Sequence, residues 1–408
     1  MRLPYDVNRI IEVLEQAGYE AYAVGGCVRD SLLNDEPKDY DITTSATPSE
    51  VKALFRKTID TGIEHGTVTV RMNGTSYEVT TYRIDGEYED FRHPKEVEFT
   101  GSLEEDLKRR DFTINAMAYN EKTGLVDLYD GEGDLKNHII RCVGDPVQRF
   151  TEDALRMLRA VRFAAKLSFS IEEKTFNAMK LLHENLEHVS AERIYVELSK
   201  TLLSDNPEMI EDAYKAGLTS VFVPELDCFF AGDNVKEVLV RLKNSEKNLK
   251  VRLALLLENV KAFDDEEAGV MAYDILRRLK TDRVTFETVK KLVALRNYRL
   301  SNDRYEVRRF LSVYGREFTE NYLKVLSVKS EVDKALATEL EGIVSSVYEA
   351  CECVSLSDME LSGRDLIEMG FEKGTTIGVV LDKLFKEVLK DPSLNNRDDL
   401  MRIAKEYR

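Results

Sequence analysis

The stretch VGGCVRDSLLNDEPKDYDITT, Val24–Thr44, decides how the first part of the chain folds. Gly25-Gly26 follow Ala21–Val24, which reads as a strand, and precede a helical pattern. Glycines at such a turn let backbone amides approach a phosphate, and Arg29, one turn into the helix, can reach an anion. The stretch then reaches Asp39-Tyr40-Asp41, opening a second strand read as Asp39–Thr43. Residues i and i+2 of a strand point the same way, so two carboxylates fall side by side. Their repulsion raises one pKa unless a cation intervenes, and magnesium, a hard cation, favours carboxylate and phosphate oxygens. Two exposed strand acids are the alternative. The Gly-Gly-x-x-Arg-Asp turn close by favours the metal. Two-metal phosphoryl transfer uses such a pair. Glu78, in SYEVTTYR, is the candidate third ligand, or else a supporting or exposed strand acid.

Working outward, GTVTVRM and TSYEVTTYR alternate around Asn73-Gly74, a hairpin signal. Leu125–Asp130 and Ile139–Val143 read as two more strands, and Gly144-Asp145-Pro146 closes the region. From Val147 onward the patterns are helical, broken by turns such as Ser204-Asp205-Asn206-Pro207 and Lys390-Asp391-Pro392. An α/β head is therefore expected, followed by a long all-helical remainder.

Length and composition agree. A chain of 408 residues exceeds one ordinary core. Hydrophobic residues make up 43% and charged residues 33%, as in a soluble globular protein. No apolar run reaches the roughly 18 residues of a membrane span. The opening MRLPYDVNRIIEVLEQ reads as an amphipathic helix rather than a signal peptide. Five scattered cysteines without zinc spacing suit a reducing, cytoplasmic setting. A net charge of −17 argues mildly against nucleic acid, although local patches do the binding.

Two further clusters carry chemistry. In DLKRRDFTINAMAY, Arg109, Arg110 and Asp111 end a short helix. Arg110 is the expected triphosphate or base contact, while Arg109 could pair with Glu105 or Asp106. TEDALRMLRAVRFAAKL, Thr151–Leu167, reads as one helix capped by Thr151. Ala154, Leu158, Val161 and Ala165 form its core face, and Arg156, Arg159 and Arg162 fall on the other side.

GGCVRD, DYD, RRDFTINAM and EDALRMLRAVRF, in that order, resemble class II tRNA nucleotidyltransferases, the CCA-adding enzymes and bacterial poly(A) polymerases. ELSGRDLIEMGFEKGTTIGVVLDKLFKEVL, Glu360–Leu389, resembles the tail of the short bacterial CCA-adding type. No His-Asp phosphohydrolase extension is visible. The resemblance implies an α/β head with a DNA polymerase β-type mixed sheet, followed by an all-α neck, body and tail. The expected divisions are a catalytic head over 1–146, a neck with a nucleotide-selecting helix over 147–205, and RNA-binding body and tail over 206–318 and 319–408. It further implies that Asp39 and Asp41 hold Mg2+, that Gly26, Arg29 and Arg110 contact ATP or CTP, and that Asp153, Arg156, Arg159 and Arg162 line the nucleotide pocket.

The chemistry of the bases agrees. Cytosine and adenine each present an amino donor beside an unprotonated ring nitrogen; uracil and guanine present the reverse. An aspartate accepts from the amino group and an arginine donates to the ring nitrogen, worth about 1–3 kcal/mol of discrimination. Asp153 and Arg156, read as i,i+3 neighbours on one helix, suit that edge. They cannot separate C from A alone.

Glu87–Val97 (EYEDFRHPKEV) resembles the flexible loop of enzymes able to add A, and could equally be a plain strand connection. TGIEHGTVTV looks more like the CCA-adding branch than the poly(A) branch, which usually has a Gly-Arg-Arg-Phe-like segment here. Between Arg277 and Arg316 twelve basic residues face four acidic ones, a candidate phosphate-binding face for tRNA. Gly363, Gly370, Gly374 and Gly378 could bring amides to phosphates or simply end helices. The expected function is template-free addition of C, C and A to tRNA from CTP and ATP, with pyrophosphate released. The alternatives are an A-only adder, a poly(A) polymerase, or a non-catalytic RNA-binding protein.

Overall fold

Asn73 and Gly74 both take positive φ (48° and 88°), which lets two strands fold back on each other in a two-residue turn. That hairpin belongs to a seven-stranded mixed sheet in the computed structural model, which describes residues 1–85 and 97–407. The Glu87–Val97 segment, except its last residue, lies outside the described residues.

The strands are β1 (Ala21–Val24), β2 (Asp41–Thr44), β3 (Thr58–Gly62), β4 (Thr67–Met72) and β5 (Thr75–Thr81). A separate antiparallel pair follows, β6 (Arg83–Asp85) with β7 (Val97–Phe99), before β8 (Met117–Asn120) and β9 (Gly124–Asp127). The sheet order is β3-β4-β5-β2-β1-β8-β9, and only β2 and β5 run parallel. Ile139–Ile140, expected to extend the head, pairs instead with Ser170–Ile171. The opening segment forms the helix Tyr5–Gln16, which buries Val7, Ile10, Ile11 and Leu14.

The chain divides into two compact units: Met1–Val235 with Ile275–Thr281, and Lys236–Asp274 with Asp282–Arg408. After the sheet, the first unit continues in helices.

One expectation is corrected there. TEDALRMLRAVRFAAKL is not a single helix. Thr151 and Glu152 end the helix Pro146–Glu152, Asp153 is extended (φ −142°, ψ 102°), and a new helix runs Leu155–Leu167. Thr151 does not cap; its hydroxyl donates to the Val147 carbonyl. The break has a local cause. The Leu155 amide donates to Asp153 Oδ1 at 3.1 Å, so an aspartate side chain competes with the helical ladder. Ala154, Leu158, Val161 and Ala165 are buried as expected, but so are Met157, Ala160, Phe163 and Ala164. The arginines therefore leave a helix enclosed on nearly every side.

The second unit is helical. Phe310 packs among Tyr298, Tyr314, Phe318 and Tyr322, and a separate core gathers Leu361, Leu366, Leu384, Val388 and Leu400. Arg252 is buried in the helix Leu249–Leu257, where Nη2 donates to the Ser245 carbonyl at 2.8 Å and Nε to its hydroxyl at 3.2 Å. No helix among the described residues is long and apolar enough to cross a membrane.

Candidate active site

Asp41 is the first residue of β2, in register with Val24 of β1 and Glu78 of β5. Asp39 lies in the exposed segment just before the strand. The Asp41 carboxyl opens to solvent, yet protein atoms crowd its other sides. That crowding, then Glu78 and Asp39, lift its pKa above the ordinary carboxylate value, and Arg110 acts against them. A carboxyl strained by two others is one a hard divalent cation satisfies. Among the described residues no three or more His, Cys, Asp or Glu side chains close a metal cage by themselves. Two carboxylates completed by substrate phosphate oxygens need none.

Arg110 is aimed by Asp106, which is fully buried and which sequence reasoning placed only as a partner of Arg109. Asp106 accepts from Arg110 Nη2 at 3.2 Å, from Arg109 Nε and Nη2 at 3.0 and 2.7 Å, and from Thr43 Oγ1 of β2 at 3.2 Å. Arg110 Nε is buried without a hydrogen-bond partner among the described residues, while the side chain as a whole keeps 20% of its surface exposed. Gly25 (φ 76°) passes beneath this guanidinium: a Cβ there would stand 3.0 Å from Arg110 Nη1. At Gly26 a Cβ would meet only Arg29 Nη2 at 3.6 Å, an ordinary contact. The backbone at Gly25 (φ 76°, ψ −122°) therefore favours glycine, and nothing comparable holds at Gly26.

Arg29 is 4% exposed, and its donors already serve the protein. Nη1 reaches Asn115 Oδ1 at 2.5 Å and Nε reaches Asp30 Oδ1 at 2.7 Å. Arg29, Arg159 and Arg162 surround the Phe163 ring, at 5.2, 5.5 and 3.9 Å from its centroid. Arg162 binds Glu197 at 2.5 Å, and Arg159 grips Asp111 Oδ2 with Nε and Nη2 at 2.8 and 2.6 Å. Burial alone would raise the Asp111 carboxyl; Arg159 and the Asn115 amide outweigh it and hold it at about 2. Its folded pKa is thus depressed. The stability it contributes is present above the unfolded value near 3.9 and is lost as pH falls through about 2, roughly 2–3 kcal/mol in total. Acid titration of unfolding should show that step, and Asp111→Asn should abolish it. An unchanged acid limb in the variant would refute the assignment.

Beside this wall lies a concavity of about 270 Å³ lined by Arg109, Arg110, Asp111, Asp153, Leu155, Arg156, Arg159 and Arg193. The structure thus brings together four expected residues: Arg110, Asp153, Arg156 and Arg159. Arg29 and Arg162 are not among its lining residues. Asp153 and Arg156 do not share a helix, because Asp153 sits at the break. Arg156 is only 9% exposed: Nη1 donates to Glu152 at 2.7 Å and the Arg149 carbonyl at 3.1 Å, and Nη2 to the Arg109 carbonyl at 3.0 Å. Glu152 is a structural partner, holding both Arg149 and Arg156. Arg193, absent from the sequence reading, binds both Asp153 oxygens from the helix Ala191–Leu202.

Three family models match the chain in succession. They describe a poly(A) polymerase head domain over residues 21–141, a "Probable RNA and SrmB-binding site of polymerase A" over 168–230, and a tRNA nucleotidyltransferase domain 2 over 260–404. A CCA-adding enzyme of Ligilactobacillus salivarius is 38% identical over 410 residues, covering 97% of this chain and 95% of that protein. The chain belongs to the CCA-adding enzyme family. A further member, from Lactobacillus helveticus, is 39% identical over 391 residues, covering 96% and 94% of the two chains. The solved CCA-adding enzyme of Bacillus stearothermophilus, in complex with CTP, matches at TM-score 0.80 and 31% identity over 100% of this chain and 98% of that one. As a member of the CCA-adding family the chain is a nucleotidyltransferase, and its head has the DNA polymerase β-type fold.

At least seven of the twelve basic residues in the run of this CCA-adding family member are held in ion pairs. Arg278, in the first unit, pairs with Glu225. In the second unit Arg296 pairs with Asp265, Arg299 with Asp333, Arg304 and Arg308 with Glu352, Arg309 with Glu306, and Arg316 with Glu320. These acids lie mostly outside the run, so counting charges along the sequence overstates its field. Gly370 and Gly374, at positive φ, stand at helix ends.

Proposed function

We propose that this chain adds C, C and A to the 3′ end of tRNA from CTP and ATP, without a nucleic-acid template, and releases pyrophosphate. The carrying observation is the concavity that sets Asp153, an acceptor, among five arginines in the same unit as the Asp41–Glu78 pair. Full-length kinship with proteins named CCA-adding enzymes supports it.

Asp39 and Asp41 would hold Mg2+, with Glu78 beside them, and the ion would activate the RNA 3′-hydroxyl and offset charge on the triphosphate. Arg110, through the exposed part of its side chain at the concavity, takes a phosphate oxygen, and the turn at Gly26 admits the triphosphate backbone-close. Arg159 adds positive charge at the pocket wall. Arg29 and Arg162 support that wall by clasping Phe163. Asp153 accepts the amino group of C or A. Arg156 donates to the ring nitrogen by giving up one of its protein acceptors. A carbonyl of U or G would face the carboxylate and leave both unsatisfied. The head, neck, body and tail divisions at 146, 205 and 318 belong to this proposal, as does a cytoplasmic location.

The test supplies tRNA lacking its last three nucleotides with CTP, ATP or both, and sequences the ends. CCA ends are expected, and failure to incorporate CMP would refute full CCA addition. Asp153→Ala should raise use of UTP relative to CTP by about tenfold, within the range of one bidentate base contact, with little change in triphosphate affinity. An unchanged ratio would remove Asp153 from base selection.

A further inference from the structure

We propose that Arg193 is the positioning residue that sets Asp153 for base selection; this rests on Asp153 reading the base. The argument is an inventory of acceptors. A carboxylate offers about four lone-pair directions. Asp153 Oδ1 already accepts from the Leu155 amide at 3.1 Å and from Arg193 Nη1 at 3.3 Å. Oδ2 accepts from Arg193 Nη2 at 2.9 Å. Among the described residues no second donor reaches Oδ2. The fork therefore fixes the rotation of the carboxylate and leaves one direction, on Oδ2, for an amino group entering the concavity that both residues line.

The need for such a fork follows from the break. Asp153 is in extended backbone between two helices, so no helical ladder sets its side chain. Orientation must come from elsewhere, and Arg193 supplies it from the helix Ala191–Leu202. One turn further along, Glu197 of that same helix binds Arg162 of the Leu155–Leu167 helix at 2.5 Å. The arginine is thus delivered by an element already clamped to the helix that follows Asp153.

Arg193 acts through Asp153, so its loss should change selection and not merely rate. The experiment uses full-length R193A, R193K, D153A and the double variant on tRNA lacking CCA, with kcat/KM measured for CTP, ATP, UTP and GTP. R193A should raise the UTP-to-CTP ratio by about tenfold, with CTP KM changed about twofold or less. R193K keeps the charge but loses the fork, and should shift the ratio by about threefold. The double variant should match D153A, because the two side chains form one unit. A merely structural arginine would slow all four nucleotides alike. If D153A relaxes selection while R193A leaves the ratio unchanged, the positioning role is overturned and base reading by Asp153 stands. If D153A itself leaves the ratio unchanged, base reading fails. Should R193A not fold, the R193K ratio decides, and an unshifted value overturns the role.

Discussion

Replacing Asp41 by asparagine should cut nucleotide addition by about 10³-fold or more, in the range expected when a key charged group of a polar transition state is lost. The same change should leave stability intact or raise it. Both outcomes follow from one position. Asp41 faces Glu78 across β2 and β5, and crowding with Glu78 and Asp39 already disfavours its ionised form. An acid whose folded pKa is raised weakens the fold once it ionises, so a neutral isostere relieves that strain at neutral pH. A residue kept at a cost to the fold is what a functional site looks like. The measurements are CMP incorporation at saturating CTP and the thermal midpoint of unfolding. Addition at the wild-type rate would remove Asp41 from the chemistry; a lower midpoint would contradict the charge argument.

Replacing Asp106 by alanine should have the opposite profile, a large loss of stability. Its buried carboxylate accepts four hydrogen bonds, three of them from Arg109 and Arg110. Burial pushes this carboxyl up, but Arg110 and Arg109 outweigh that and hold it below the ordinary value. Breaking a buried pair from one side costs about 3–5 kcal/mol. The two arginine side chains are 16% and 20% exposed, so water softens the loss toward about 3 kcal/mol. Denaturant unfolding would measure it, and a loss below about 1 kcal/mol would match a surface pair instead. Triphosphate affinity should fall as well, since Arg110 loses its anchor.

The parts of the site carried by short-range rules were legible in the sequence. The Gly-Gly turn and the Asn73-Gly74 hairpin each depend on neighbours within a few residues, whereas the strand expected from Asp39 begins only at Asp41. Glu78 stood out as an acid on a neighbouring strand, and the register of β2 with β5 sets it opposite Asp41. What escaped was set by contacts distant in the chain. Arg159 meets Asp111, Arg29 meets Asn115, and Arg193 meets Asp153 only after folding. Helical periodicity ran through Asp153 unbroken, because apolar spacing does not register a side chain bonding to an amide two residues on. The same blindness inflated the run from Arg277 to Arg316, whose partners are acids as remote as Asp265 and Glu352. Charges of one sign are visible in a line of text; their neutralisation is a property of three dimensions.

Thr43 lies two residues after Asp41 on the same strand and bonds to Asp106, the residue that aims Arg110. A slip of β2 by one residue would turn Asp41 and Thr43 together to the opposite side of the sheet. The Thr43 bond to the buried Asp106 would vanish at the same moment as the Asp41 carboxylate left its place beside Glu78. A chain that zips this strand incorrectly therefore loses a buried hydrogen bond and the Asp41–Glu78 register in a single step.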